Sequence, residues 1–104
     1  MERQAGIDPF DIENDQVTIL IVDDSVLGAQ LVQTHLERAG YRVTLAHDGN
    51  EALARVETDP PDLIILDVMM PGLDGFSVCE QLKRDSRTWF IPLILLTAQH
   101  EPRD

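Results

Sequence analysis

With one cysteine, Cys79, the chain cannot form an internal disulfide, and its three histidines, His35, His47 and His100, fall on separate elements with no ligand spacing. Thiolate or histidine-pair zinc chemistry is thereby excluded. Basic residues are scarce too. The chain has 8 Lys and Arg against 19 Asp and Glu, a formal charge of −11, and a field of that sign repels nucleic acid and anionic membrane surfaces. A cation or a basic partner is the more natural ligand. No apolar run approaches the ~18 residues of a membrane span, and the N-terminus is acidic where a secretory signal is basic and then apolar. These absences together predict a cytoplasmic protein with no membrane association and no direct nucleic-acid binding. A glycine-rich phosphate loop of the GxxxxGK type is missing, so a nucleotidase or NTPase is unsupported. The 104 residues, 43% of them hydrophobic, suffice for one small domain with a single core.

Residues 1–16, MERQAGIDPFDIENDQ, hold five acids against one arginine with no sustained periodicity, and they read as an acidic N-terminal arm. An alternative docks Ile7, Phe10 and Ile12 on a surface as a short helical turn. From Val17 the texture changes. VTILIVDD is a β-branched and leucine run of strand length that stops at two aspartates. Ser25 can cap a following helix, with Leu27, Leu31, Val32, Leu36 and Ala39 as its apolar face and Gly40 as its stop. YRVTLAH, residues 41–47, reads as an outer strand, and Asp48-Gly49 opens a helix carrying Ala52, Leu53 and Val56. Asp59-Pro60-Pro61 ends it. LIIL, residues 63–66, is the third strand. A helix from about Gly75 to Arg84 follows, with Phe76, Cys79 and Leu82 inward and Asp74 as its cap, and PLILLT, residues 92–97, is the fourth strand. Apolar strands alternating with amphipathic helices predict an α/β fold, a mostly parallel sheet covered on both faces.

In such a sheet the functional crevice lies at the carboxyl ends of the strands. Asp23 and Asp24 end the first strand, Asp67 the third, and Thr97 the fourth. If the first strand lies beside the third, the three carboxylates meet. Two unit charges ~5 Å apart repel by roughly 3 kcal/mol at an effective dielectric of 20, so such a cluster calls for a counter-charge. Oxygen-only donors favour a hard divalent ion, hence Mg²⁺ over Zn²⁺. An Asp carboxylate beside that ion can be the nucleophile that accepts a phosphoryl group, and a threonine hydroxyl can meet a phosphoryl oxygen. The Met69-Met70-Pro71-Gly72 turn would keep the backbone close, where a carbonyl could also ligate the metal.

ILIVDDS, LIILDVMMPGLDG and IPLILLTA, in this order and on these elements, resemble the receiver domain of two-component response regulators from about Val17 to Thr97. The resemblance implies the flavodoxin-like strand order 2-1-3-4-5, in which the first and third strands are neighbours. It implies Asp67 as phosphoacceptor, Asp24 and Asp67 as direct Mg²⁺ ligands with the Met69 backbone carbonyl, Asp23 acting through a metal-bound water, and Thr97 as the switch hydroxyl. Small Ala98 is similar to members that leave the phosphoryl group accessible. The implied role is a signalling phosphoacceptor, not an enzyme in its own right, charged by a sensor histidine kinase or a histidine phosphotransfer protein. Val26, Leu27 and Gln30 lie where the family meets that donor.

The chain departs from the pattern after Thr97. Receivers carry a fifth strand ending in a Lys that pairs with the phosphoryl group, and an aromatic switch residue on that strand; here Lys83 lies on the third helix and no aromatic follows Phe90. Residues 17–104 thus read as a partial receiver lacking helix 4, strand 5 and helix 5, either the N-terminal portion of a longer regulator, the favoured reading, or a naturally short one. The fourth strand is then an edge, which predicts self-association through PLILLT. A competing reading is a pseudo-receiver that serves as an oligomerisation or docking module uncoupled from phosphorylation. A haloacid dehalogenase-type phosphohydrolase needs a second Asp two residues after the nucleophile, where this chain has Met69. Cys79 reads as core. Trp89-Phe90 is open between a packed lid and an exposed patch.

Overall fold

A computed structural model of the chain describes residues 16–67 and 75–96. Strands and helices alternate through them: β1 (Thr18–Val22), α1 (Val26–Arg38), β2 (Arg42–Ala46), α2 (Gly49–Thr58), β3 (Leu63–Asp67), α3 (Gly75–Arg84) and β4 (Leu93–Leu96). The expected acidic arm apart from Gln16, the Met69 turn with Asp74, and Thr97 with Ala98 lie outside the described residues.

All the pairings are parallel and the order is β2-β1-β3-β4. Central β1 is buried from Ile19 to Val22, which is why its sequence is continuously apolar and does not alternate. Successive side chains take opposite faces. Leu20, Val22, Ile64 and Leu66 therefore enter one core with Ala52 and Val56 of α2 and Val78 and Leu82 of α3. Ile19 and Ile21 enter the other, against Ala29, Val32 and Leu36 of α1. One helix covers the second face and two cover the first, so the first holds most of the fully buried side chains.

The helix ends follow local chemistry. Ser25 caps α1 by accepting from the Gly28 N–H at 3.1 Å. At the other end Gly40 adopts φ 102°, and the Gly40 and Tyr41 amides donate to the Glu37 and Leu36 carbonyls, the paired bonds that close a helix on a left-handed glycine. Asp48 caps α2 through the Glu51 N–H at 2.7 Å, and the Glu51 carboxylate accepts from the His47 N–H at 2.8 Å. That N–H, with the His47 ring and Arg55 assisting, holds the Glu51 carboxyl below its usual range.

The segment entering β4 is tied down at the amino edge of the sheet. Thr88 is buried and donates to the Leu82 carbonyl at 2.6 Å, while Lys83 Nζ donates to the Trp89 and Ile91 carbonyls at 2.9 and 2.8 Å. Trp89 and Phe90 are exposed and meet edge to face, so they form a surface patch and not a lid.

Two helix faces differ from the sequence reading. On α1, Leu27 and Leu31 are 76% and 63% exposed and Ala39 is exposed too, whereas Ala29, Val32 and Leu36 face the sheet. At 100° per residue Leu27 and Leu31 lie nearly opposite Ala29, and small Ala29 lets the helix approach β1. On α3, Phe76 is exposed, since Gly75, Val78, Cys79 and Leu82 share one stripe that Phe76 leaves by about 100°. Cys79 does pack against the core.

These assignments predict opposite outcomes for equal truncations. Leu20→Ala should cost about 2–5 kcal/mol of unfolding free energy in urea titration, and Leu27→Ala should stay within about 0.5 kcal/mol of the parent.

Candidate functional site

Register alone brings the acids together. Val22 lies opposite Leu66 in the β1–β3 pair, so the next residues along, Asp23 and Asp67, arrive side by side at the carboxyl edge. The Asp23 N–H donates to the Ala46 carbonyl at 3.0 Å, which carries the β1–β2 pairing one residue past the strand and fixes the Asp23 backbone. Asp24 follows it. One carboxylate oxygen from each of Asp23, Asp24 and Asp67 falls within 4.8 Å of the others. Asp23 and Asp67 are half-buried and Asp24 is exposed, so the cluster has a rigid floor and an open rim.

The electrostatics match the geometry. Burial, together with the Asp67 and Asp24 charges, pushes the Asp23 carboxyl above its ordinary value, against a lowering contribution from the Ser25 N–H that donates to its Oδ1 at 2.9 Å. The Ser25 N–H thus anchors Asp23 while its acidic neighbours disfavour its charge. At ~5 Å and an effective dielectric of 20, each pair of ionised carboxylates repels by roughly 3 kcal/mol. The donor set fits a hard divalent cation: three oxygens from three side chains, no nitrogen or sulfur among them, and a charge deficit that a cation relieves.

Of the residues expected at the site, the structure brings Asp23, Asp24 and Asp67 together; Met69 and Thr97 fall outside the described residues, although Leu96, which precedes Thr97, lies opposite Asp67 in the β3–β4 register. Lys83 is at the opposite edge of the sheet, bound to the loop before β4. Val26, Leu27 and Gln30 are exposed on the first turns of α1, beside Asp24 in sequence, and Leu31 extends their stripe. Sequence reasoning treated Ser25 only as a helix cap, yet its N–H also anchors Asp23. It also passed over Gly28, whose α-carbon faces the Asp23 carboxylate.

The chain belongs to the response regulator receiver domain family, whose model matches residues 19–104. It is 50% identical over 86 residues to the alkaline phosphatase synthesis transcriptional regulatory protein PhoP of Bacillus subtilis, a match covering 83% of this chain and 35% of that protein. Response regulator PleD of Caulobacter vibrioides is 50% identical over 80 residues, 77% of this chain and 18% of PleD. The chain therefore spans about a third or less of these curated relatives. Among solved structures, the N-terminal domain of a response regulator receiver protein from Methanoculleus marisnigri JR1 superposes with a TM-score of 0.79 at 42% identity, covering 84% of this chain and 71% of that one. Vibrio cholerae chemotaxis protein CheY4 gives 0.76 at 40%, covering 83% and 72%.

Membership makes this a two-component signalling module rather than an enzyme, with the flavodoxin-like parallel fold and the acidic triad typical of a Mg²⁺ site. A histidine kinase is the general partner of the family. Among the described residues, no helix is long and apolar enough to cross a membrane.

The raised Asp23 carboxyl gives a signed prediction. Between its unfolded value of 3.8 and its higher folded value, the native state holds more protons than the unfolded one, so this group's contribution to stability falls as pH rises. Asn keeps the oxygen that accepts from Ser25 but removes the charge. In cation-free buffer Asp23→Asn should match the parent near pH 3.5, become more stable than it as pH rises through the folded value, and keep that margin at pH 7, read as the difference in urea midpoints.

Proposed function

We propose that Asp67 is a phosphoacceptor, charged from the phosphohistidine of a sensor histidine kinase or a histidine phosphotransfer protein in a Mg²⁺-dependent reaction. The observation that carries this reading is the placement of Asp67 at the end of β3, beside Asp23 and Asp24, in a chain of the receiver family. A carboxylate oxygen of Asp67 forms the new bond to phosphorus while the phosphorus–nitrogen bond to the donor imidazole breaks, and the imidazole leaves with the electron pair. An ionised Asp needs no general base for this. Its strand backbone keeps that oxygen in one direction, which favours in-line approach.

Asp24, Asp67 and the Met69 backbone carbonyl would hold the ion, and Asp23 would act through a water. Bound there, Mg²⁺ supplies neutralising charge to the transferring phosphoryl group. Thr97, following the residue opposite Asp67, would offer its hydroxyl to a phosphoryl oxygen. Val26, Leu27 and Gln30 support a donor-docking surface, because an apolar stripe left in solvent next to the site is what a partner helix can cover.

A second reading is a docking or oligomerisation module in which phosphorylation switches nothing; among the described residues Lys83 is engaged at the far edge of the sheet and takes no part in the acidic site. Self-association through β4 is compatible with either. Among the described residues β4 is an outer strand, Ile94, Leu95 and Leu96 are 47%, 38% and 42% exposed, and Thr88 through Leu96 carry no charge to repel a second copy.

With Mg²⁺ and acetyl phosphate, the intact mass of the parent should rise by one phosphoryl group, and that of Asp67→Asn should not. No gain in the parent, or an equal gain in both, overturns the assignment of Asp67. Light scattering of the 104-residue chain should show a dimer or larger species that Leu95→Lys returns to monomer. If the mass distribution is the same before and after phosphorylation, the uncoupled module is the better description.

A further inference from the structure

The first turn of α1 contains a residue that helix formation alone does not explain. Gly28 is the third helical residue after the Ser25 cap, where glycine is less favourable than alanine by up to about 1 kcal/mol. Its backbone does not require glycine, for Gly40 is the glycine with a positive φ among the described residues. The surroundings do. A Cβ at Gly28 would lie 3.2 Å from Asp23 Oδ2, 3.3 Å from Ser25 Oγ and 3.5 Å from Ser25 Cβ.

Both crowded neighbours are anchored. Asp23 is held through its other oxygen, Oδ1, by the Ser25 N–H at 2.9 Å, and Ser25 Oγ is held by the Gly28 N–H at 3.1 Å. Gly28, Ser25 and Asp23 thus form a closed set, in which the helix cap and the carboxylate share one anchor residue. A methyl group there requires a neighbour to give by a few tenths of an ångström, and the movement that keeps both bonds is a swing of the Asp23 carboxylate about Oδ1. It would also put carbon in contact with Oδ2, crowding any water beside this carboxylate.

We propose that Gly28 is a positioning residue of the acidic site: the absent side chain keeps the Asp23 carboxylate in place and open to water, and so sets the affinity for a divalent cation. The inference rests on the Mg²⁺ reading of the site and adds to it a determinant that contributes no donor atom. It assigns the cost in helix propensity to cation binding, so fold stability and cation affinity should respond to Gly28→Ala in opposite directions.

The test measures Mg²⁺ affinity by isothermal titration calorimetry, and cation-free stability by urea denaturation, for the parent, Gly28→Ala, Asp23→Asn, the double variant and Thr34→Ala. Thr34 is an exposed residue further along α1 that controls for changes in helix propensity. Gly28→Ala should leave the cation-free urea midpoint equal or higher and weaken Mg²⁺ binding by about ten-fold, the lower range for groups that orient metal ligands. In the Asp23→Asn background the same substitution should change affinity by less than about two-fold, because the carboxylate through which it acts is gone. Thr34→Ala should leave affinity unchanged.

Equal affinity in the parent and Gly28→Ala overturns the proposal, and so does an equal loss in both backgrounds, which would place the effect elsewhere. A lowered cation-free midpoint also overturns it, since the glycine would then serve the fold. If the parent itself binds no Mg²⁺, the cation reading falls and this inference with it, an outcome distinct from binding that is indifferent to residue 28.

Discussion

The mutual repulsion of carboxylates at the ends of β1 and β3 is the constraint around which this chain is arranged. Parallel pairing leaves no freedom to avoid it. Once Ile19 faces Leu63 and Val22 faces Leu66, the residues after them are neighbours, and both are aspartate. Roughly 3 kcal/mol of repulsion per close pair is comparable to the burial of one large aliphatic side chain. The sheet must supply it. Leu20, Ile21, Val22, Ile64 and Leu66, on the strands that lead to the acids, are all at most 2% exposed, so the charges are carried on buried strand ends.

The division of labour between the two edges of the sheet follows from this. At the carboxyl edge, backbone and cap hydrogen bonds orient side chains whose own preference is to separate: Asp23 N to the Ala46 carbonyl, Ser25 N to Asp23, and Asp48 with Glu51 on the neighbouring strand end. At the amino edge the polar groups are conventional partners. Lys83 closes two carbonyls, Thr88 closes a third, and the Asp62 carboxylate accepts from the Thr18 N–H. The charge-assisted bonds of Lys83 are therefore far from the charge that destabilises the fold.

Much of this was legible in the sequence because the signals were local and mutually consistent. Strand lengths, the Ser25 cap, the helix start at Asp48-Gly49, the Gly40 stop and the acids at strand ends all came from residues whose effect does not depend on distant neighbours. The faces of α1 were harder. Leu27 and Leu31 sit four apart, as do Val32 and Leu36, so the sequence offers two apolar stripes and periodicity cannot say which one the sheet takes. Ala29 decides it by size, allowing a close approach that leucine would block, and a lone alanine is a weak signal before the sheet is in view. Phe76 misled for the related reason that a large aromatic attracts an inward assignment whatever its phase, while the small Gly75 held the inward position.

Gly28 was invisible for a different reason. Its constraint is the absence of an atom, and only the positions of Asp23 Oδ2 and Ser25 Oγ reveal what that atom would meet. Helix propensity read from sequence counts such a glycine as a small local defect in α1. In the folded chain it lies against the Asp23 carboxylate, whose charge is disfavoured by burial and by its acidic neighbours, and the serine that caps the helix is the same residue that orients that carboxylate. Helix start and acidic site are consequently one structure, and a substitution that perfects the helix acts on the site. Where two requirements share an anchor residue in this way, the residue that looks suboptimal for one of them marks the place where the other was satisfied.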